Sequence, residues 1–153
     1  MKRMLVPAFV LGAVAGVGCA DTPQDPTTAA WTALVVGGPP QSLVFHSARD
    51  GNFEIYAANP DGSDQRRLTT DPAEDIWPDI SPNGRHVTFA STRSGNREIL
   101  VLDLRDGSIV NVSQHPGDDN WPRFSPSGRE IAFHSNRDGN YEIYVANAGG
   151  SGT

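Results

Sequence analysis

Short apolar stretches separated by polar turns run through residues 31–153, and no ten-residue window shows a helical period. Val87-Thr88-Phe89-Ala90-Ser91 alternates and is rich in β-branched and aromatic residues, so it predicts a strand. Ser94-Gly95-Asn96 then supplies residues tolerant of positive φ, which predicts a hairpin. Glu98 to Asp103 predicts the next strand, Asp106-Gly107-Ser108 a turn, and Ile109 to Ser113 a further strand. Ahead of them, Trp77-Pro78-Asp79-Ile80-Ser81 predicts a short strand whose proline marks a place of incomplete pairing. Ser81-Pro82-Asn83-Gly84 has the residue preferences of a type I turn. Ile99 to Leu102 is apolar at consecutive positions, as expected where both faces of a sheet are covered.

This pattern recurs with a step of 44 residues. The step carries Phe45 to Phe89 and Phe133, Arg49 to Arg93 and Arg137, Asn52 to Asn96 and Asn140, and Glu54 to Glu98 and Glu142. It also carries Trp77-Pro78 to Trp121-Pro122 and Ser81 to Arg85 onto Ser125 to Arg129. A period in the low forties with four strands per unit predicts propeller blades. The fold expected is therefore all-β, built of four-stranded antiparallel blades at about 31–69, 75–113 and 119–153. Asn147 to Thr153 align with Asp103 to Ile109, so the third blade is expected to lack its fourth strand. Propellers close with roughly four to eight blades. Two expectations follow: a truncated piece of a longer propeller, or half of a six-bladed ring made by self-association.

Residues 121–144, with their Trp-Pro, Ser-Pro-Ser-Gly-Arg and Arg-x-Gly-Asn-x-Glu elements, resemble the WD40-like repeat of TolB-type β-propellers. The resemblance covers about residues 43–153. Neither Trp-Asp nor Gly-His occurs, so the repeat is not a regular WD40 unit. TolB carries a separate α/β domain before its propeller, whereas here a short polar segment leads into the blades. The resemblance implies a propeller module of that class, engaging a protein partner across one end.

Before the blades, Lys2 and Arg3 precede an apolar run from Met4 to Val17 that suits a signal-peptide core and is too short to span a bilayer. Ala15-Gly16-Val17-Gly18 leads to Cys19, the single cysteine. This resembles the lipobox of bacterial lipoproteins, although Gly16 stands where that motif usually has Leu. It implies a signal peptide at 1–18, acylation of Cys19, and a polar tether at 19–30. The protein is then expected to be exported to the periplasmic face of a bacterial membrane, as an outer-membrane lipoprotein. An ordinary secretory signal with an incidental cysteine is the alternative. Removing residues 1–18 takes away Lys2 and Arg3, so 10 of 12 basic side chains remain against 18 acidic, and the formal charge moves from −6 to −8. That balance argues against nucleic acid and against direct docking on anionic lipid.

Connectivity places the hairpin after each second strand on the same end as the link between blades. Glu74, Asp75, Asp118 and Asp119 are thus expected beside Arg49, Arg93 and Arg137, as a rim that holds a cation or a basic partner, or as charges that pair locally. The Arg and Glu of each Arg-x-Gly-Asn-x-Glu element flank one hairpin and are expected to bond across or along it, as architecture. Trp77 and Trp121 invite a sugar-stacking reading, but recurrence at one blade position favours packing between blades. His46 and His134 would have to converge with carboxylates to bind metal, and no metal or cofactor is expected. Asp61-Gly62-Ser63-Asp64 resembles part of a calcium loop without its closing Glu, and a strand turn explains it. No nucleophile elbow, zincin motif or phosphate loop is present. The expectation is a non-enzymatic module binding an envelope protein; a propeller hydrolase or lyase, or the propeller part of a peptidase, is the alternative.

Overall fold

The structure, a computed structural model, describes residues 43–150. Cys19, the signal segment, the tether and the strand expected at 31–36 lie outside the described residues.

Among the described residues ten strands form three antiparallel sheets. The first sheet holds β1 (Leu43–Ser47), β2 (Glu54–Ala58) and β3 (Arg66–Arg67); the second β4 (Asp75–Ile80), β5 (His86–Ser91), β6 (Glu98–Asp103) and β7 (Ile109–Asn111). The third holds β8 (Asp119–Phe124), β9 (Glu130–Ser135) and β10 (Glu142–Asn147). Within each sheet, strands adjacent in sequence are adjacent in space. The all-β, up-and-down antiparallel sheets expected are present, four-stranded only in the second sheet among the described residues, which contain no helix. The last strand of the middle blade is shorter than its apolar pattern predicts. Val112 N–H continues the register by one bond to the Ile99 carbonyl, and the Ser113 hydroxyl then takes the Ile99 N–H in place of a backbone carbonyl.

The turns explain the punctuation in the sequence. Gly84 N–H donates to the Ser81 carbonyl at 2.8 Å, and Gly128 repeats this with Ser125. Gly95, in the hairpin between β5 and β6, sits at φ 101°, a backbone open to glycine at little cost. The register then holds six consecutive pairs from His86↔Asp103 to Ser91↔Glu98, and β9 with β10 repeats it.

The core lies between sheets. Ile55, Ala57 and Leu68 of the first blade pack with Val87, Phe89, Leu100 and Leu102 of the second. On the opposite face of the second blade, Ile99, Val101 and Val112 pack with Ile131, Phe133 and Ala146 of the third. The middle sheet is thus covered on both faces, which is why β6 is buried at all six positions.

The ladder of the innermost strands breaks at one place. Pairing of β4 with β5 shifts between Ile76 and Asp79, and that of β8 with β9 between Asn120 and Arg123. Pro78 and Pro122, which have no N–H to donate, fall in these gaps. The tryptophan before each proline takes a left-handed backbone, φ 54° at Trp77 and 51° at Trp121, which is rare for a bulky residue.

Candidate functional site

Two clusters gather the polar and aromatic side chains that the sequence singles out. The first is the joint between blades. At the hairpin of the middle blade, Arg93 Nε donates to Ser91 Oγ at 2.9 Å and Nη2 to Asp75 Oδ2 at 2.8 Å. Its guanidinium lies over the Phe89 ring. In the third blade Arg137 repeats this with Ser135 Oγ at 2.9 Å, with both oxygens of Asp119 at 3.4 Å, and over Tyr144. Arg49, which has Trp31 rather than Asp at the position 44 residues before Asp75, turns instead to Gln65 Oε1 at 2.7 Å and stacks over Tyr56.

The expected pairing of the signature arginine with the signature glutamate is therefore corrected. Arginine is taken by the first aspartate of its own blade. The glutamate receives a different set of donors. The Ser113 hydroxyl accepts from Ile99 N–H at 2.9 Å and donates to Glu98 Oε2 at 2.6 Å. The Thr69 hydroxyl does the same between Ile55 N–H and Glu54 Oε2. This relay satisfies a buried carboxylate inside the sheet, which would otherwise be costly. Asn96 Nδ2 completes it, donating to Glu98 Oε1 at 3.1 Å and to the His115 and Gly117 carbonyls at 2.8 Å each. Asn52 does likewise with Glu54 and the Asp71 and Ala73 carbonyls. The asparagine of the signature thus clamps the link that leads into the next blade. The 44-residue recurrence of a hydroxyl at Thr69 and Ser113 is the signal that would have exposed the relay.

The rim set divides. Asp75 and Asp119 are fully buried and hold the arginines, so they do not face a partner. Glu74, Asp118 and Arg49 stay at or near the surface of that end. Asp118 Oδ1 accepts from Arg97 N–H at 3.1 Å. Burial pushes the Asp75 carboxyl above its ordinary value despite the Arg93 guanidinium, and its Oδ1 has no hydrogen-bond partner among the described residues. Burial, with a 2.5 Å bond to Asp50, raises the Tyr56 phenol to about 12.

The second cluster is a groove of about 400 Å³ where β1 meets the two Trp-Pro bulges, lined by Phe45, His46, Trp77, Pro78, Trp121, Pro122 and Arg123 among others. The Trp77 and Trp121 rings meet at 5.0 Å between centroids across the second and third blades, the packing role expected. Trp121 nevertheless stays 51% exposed. The histidines do not converge: His46 Nδ1 accepts from Trp77 N–H at 3.4 Å, and His134 meets the edge of Trp121 at 5.1 Å. Among the described residues no group of three His, Cys, Asp or Glu side chains is placed to hold a metal ion.

Repeated antiparallel blades, of three or four strands among the described residues, stitched by an Arg-x-Gly-Asn-x-Glu hairpin and bulged at Trp-Pro, define a β-propeller repeat protein. The sequence model of the TolB beta propeller domain (PD40) matches residues 74–153, and the chain belongs to that family. No curated protein matches it in sequence. Among solved structures it is similar to a TolB of Agrobacterium tumefaciens, with 26% identity and a TM-score of 0.65 over 73% of this chain and 43% of that one. It is also similar to TolB of Acinetobacter baumannii, at 21% identity and TM-score 0.61 over 70% of this chain and 27% of that one. An oligogalacturonate lyase in complex with manganese shares the fold at 23% identity and TM-score 0.53, over 70% of this chain and 32% of that one. The chain spans less than half the length of each.

Proposed function

We propose that the protein is an exported propeller module, held to the periplasmic face of a membrane through Cys19, that acts by binding an envelope protein rather than by catalysis. One observation carries this reading: the groove presents an exposed Trp121 beside Arg123, with Trp77, Phe45 and two prolines behind them. Tryptophan and arginine backed by a packed apolar floor are the residues that concentrate binding energy at protein interfaces. The signature polar groups, by contrast, are spent within the joints. Family membership supports the same reading, and TolB-like relatives support export.

The test is affinity purification from envelope extracts with the anchor retained, comparing wild type with Trp121→Ala/Arg123→Ala. Loss of a specific partner at unchanged thermal stability supports the groove; an unchanged partner profile removes it. Membrane fractionation tests the anchor separately. Cys19→Ala should release the protein or leave it unprocessed, and identical fractionation and mature mass for both forms would overturn lipidation.

A further inference from the structure

The groove is a cationic spot on an acidic chain. The Arg123 side chain is 71% exposed and reaches Asp79 Oδ1 only at 3.4 Å, while the other oxygen of that carboxylate accepts from the Phe124 N–H at 2.8 Å. Arg97 lies over the Trp77 ring at 5.6 Å; it makes no ion pair among the described residues, and its Nε has no hydrogen-bond partner there. Beside these arginines stand the paired Trp77 and Trp121 rings, with Phe45, Pro78 and Pro122 lining the same groove. Such a surface fits an occupant that carries carboxylates and rigid apolar rings. A polyproline II segment with acids is of this kind, because three residues make one turn, prolines three apart share a face, and aromatic-lined grooves take that face.

The chain carries one such segment itself. Asp21-Thr22-Pro23-Gln24-Asp25-Pro26 holds the only two prolines of the sequence that stand three residues apart. Asp21 and Asp25 are the only acids before Asp50, and no Lys or Arg lies between Arg3 and Arg49. The residues before its prolines, Thr22 and Asp25, are biased toward the extended backbone that this mode of docking uses. Residues 27–42 separate Pro26 from Leu43, beside the groove residue Val44, and can span up to about 50 Å. We infer that residues 21–26 dock in the groove as an extended strap, with Pro23 and Pro26 against the Trp77–Trp121 pair and Asp25 toward Arg123, and that a partner has to displace them. The net acidity of the chain disfavours this acidic segment elsewhere on its surface. The inference rests on the groove being the binding surface and adds that the chain's own segment occupies it first.

The experiment places a photoreactive residue at position 24 of the full chain and locates the cross-link by mass spectrometry. The expected product joins position 24 to residues 121–124 of the same chain and is lost with Trp121→Ala/Arg123→Ala. A labelled synthetic peptide of residues 20–28 is then the probe in trans. It is expected to bind the full chain carrying Pro23→Ala/Asp25→Asn/Pro26→Ala, to bind the unaltered chain far less, and partner capture is expected to rise with the same variant. The inference is overturned if position 24 cross-links elsewhere, or if the peptide binds neither chain or both alike. A cross-link between two chains would overturn it by assigning the groove to a second copy, and a probe at position 34 that reaches 121–124 would assign it to the strand expected at 31–36. Partner loss in Trp121→Ala/Arg123→Ala with no response to the segment variant would refute the strap and leave the proposed function standing. An intrachain cross-link to 121–124 with an unchanged partner profile in Trp121→Ala/Arg123→Ala would support the strap and remove the groove as the partner's site.

Discussion

The middle and third blades carry nearly the same strand, Glu-Ile-Leu-Val-Leu-Asp in β6 and Glu-Ile-Tyr-Val-Ala-Asn in β10, in the same register against the preceding strand. One is buried throughout; the other exposes four of its six residues. The local sequence writes the strand, and the neighbouring blade decides what that strand contributes. In a repeat array the stability of a unit is held largely in its interfaces with the units on either side.

The comparison breaks most visibly at the paired isoleucines. Ile99→Ala should destabilise by about 4 kcal/mol, since it opens a cavity between two blades, while Ile143→Ala should stay within about 0.5 kcal/mol of wild type. Chemical denaturation of both variants checks this, and equal losses would mean that β10 is covered after all. Next comes the hairpin arginine. Arg93→Ala leaves a buried carboxylate at Asp75 without its ion pair and should cost about 3 kcal/mol. Arg49→Ala, whose partner is the exposed Gln65, should cost less than about 1 kcal/mol. A smaller effect belongs to the relay: Ser113→Ala leaves the Ile99 N–H without its acceptor and Glu98 Oε2 with only the His115 N–H, and should cost about 2 kcal/mol, whereas Ser113→Thr, the hydroxyl of the first blade, should retain most of the stability.

The smallest effect is a pH dependence. The Asp75 carboxyl is raised above its ordinary 3.8, so the native state holds this proton more tightly than the unfolded chain does. The stability linked to it is fully present below 3.8 and is lost as pH rises through the raised native value. Across that window wild type should lose stability relative to Asp75→Asn as pH increases. A difference that does not change with pH, or changes in the opposite direction, would show that burial does not dominate at this carboxyl.

The fold was legible because its punctuation is chemical. Gly95, Asn96 and the Ser-Pro-Asn-Gly turn mark reversals that few other residues make, and a 44-residue recurrence sets the blades in register. The partners within the joint were not legible. Arg93 and Glu98 are close in sequence, which suggested that they pair; their actual partners are Asp75, 18 residues away, and Ser113, 15 residues away. Recurrence shows that a residue has a role without saying with whom. The aspartates read as rim charges because exposure is the default for acids, yet Asp75 and Asp119 are buried by the blade contact itself. The left-handed tryptophans escaped for a similar reason, since a residue before proline reads as extended and only the bulge turns it.

The asparagine clamp has a consequence for how the chain reaches its native state. Each clamp closes a segment of 19 or 21 residues, and the bonds that the Asp79 carboxylate accepts from Arg123 and Phe124 of the following blade span 44 and 45. Hairpins close first over short loops, the clamp then closes one blade, and blade-to-blade contact requires roughly one further repeat. Loop-closure entropy is thus met in small, sequential instalments rather than in one long-range search. The chain can therefore fold progressively from its N-terminal side, each finished blade serving as the template on which the next one sets.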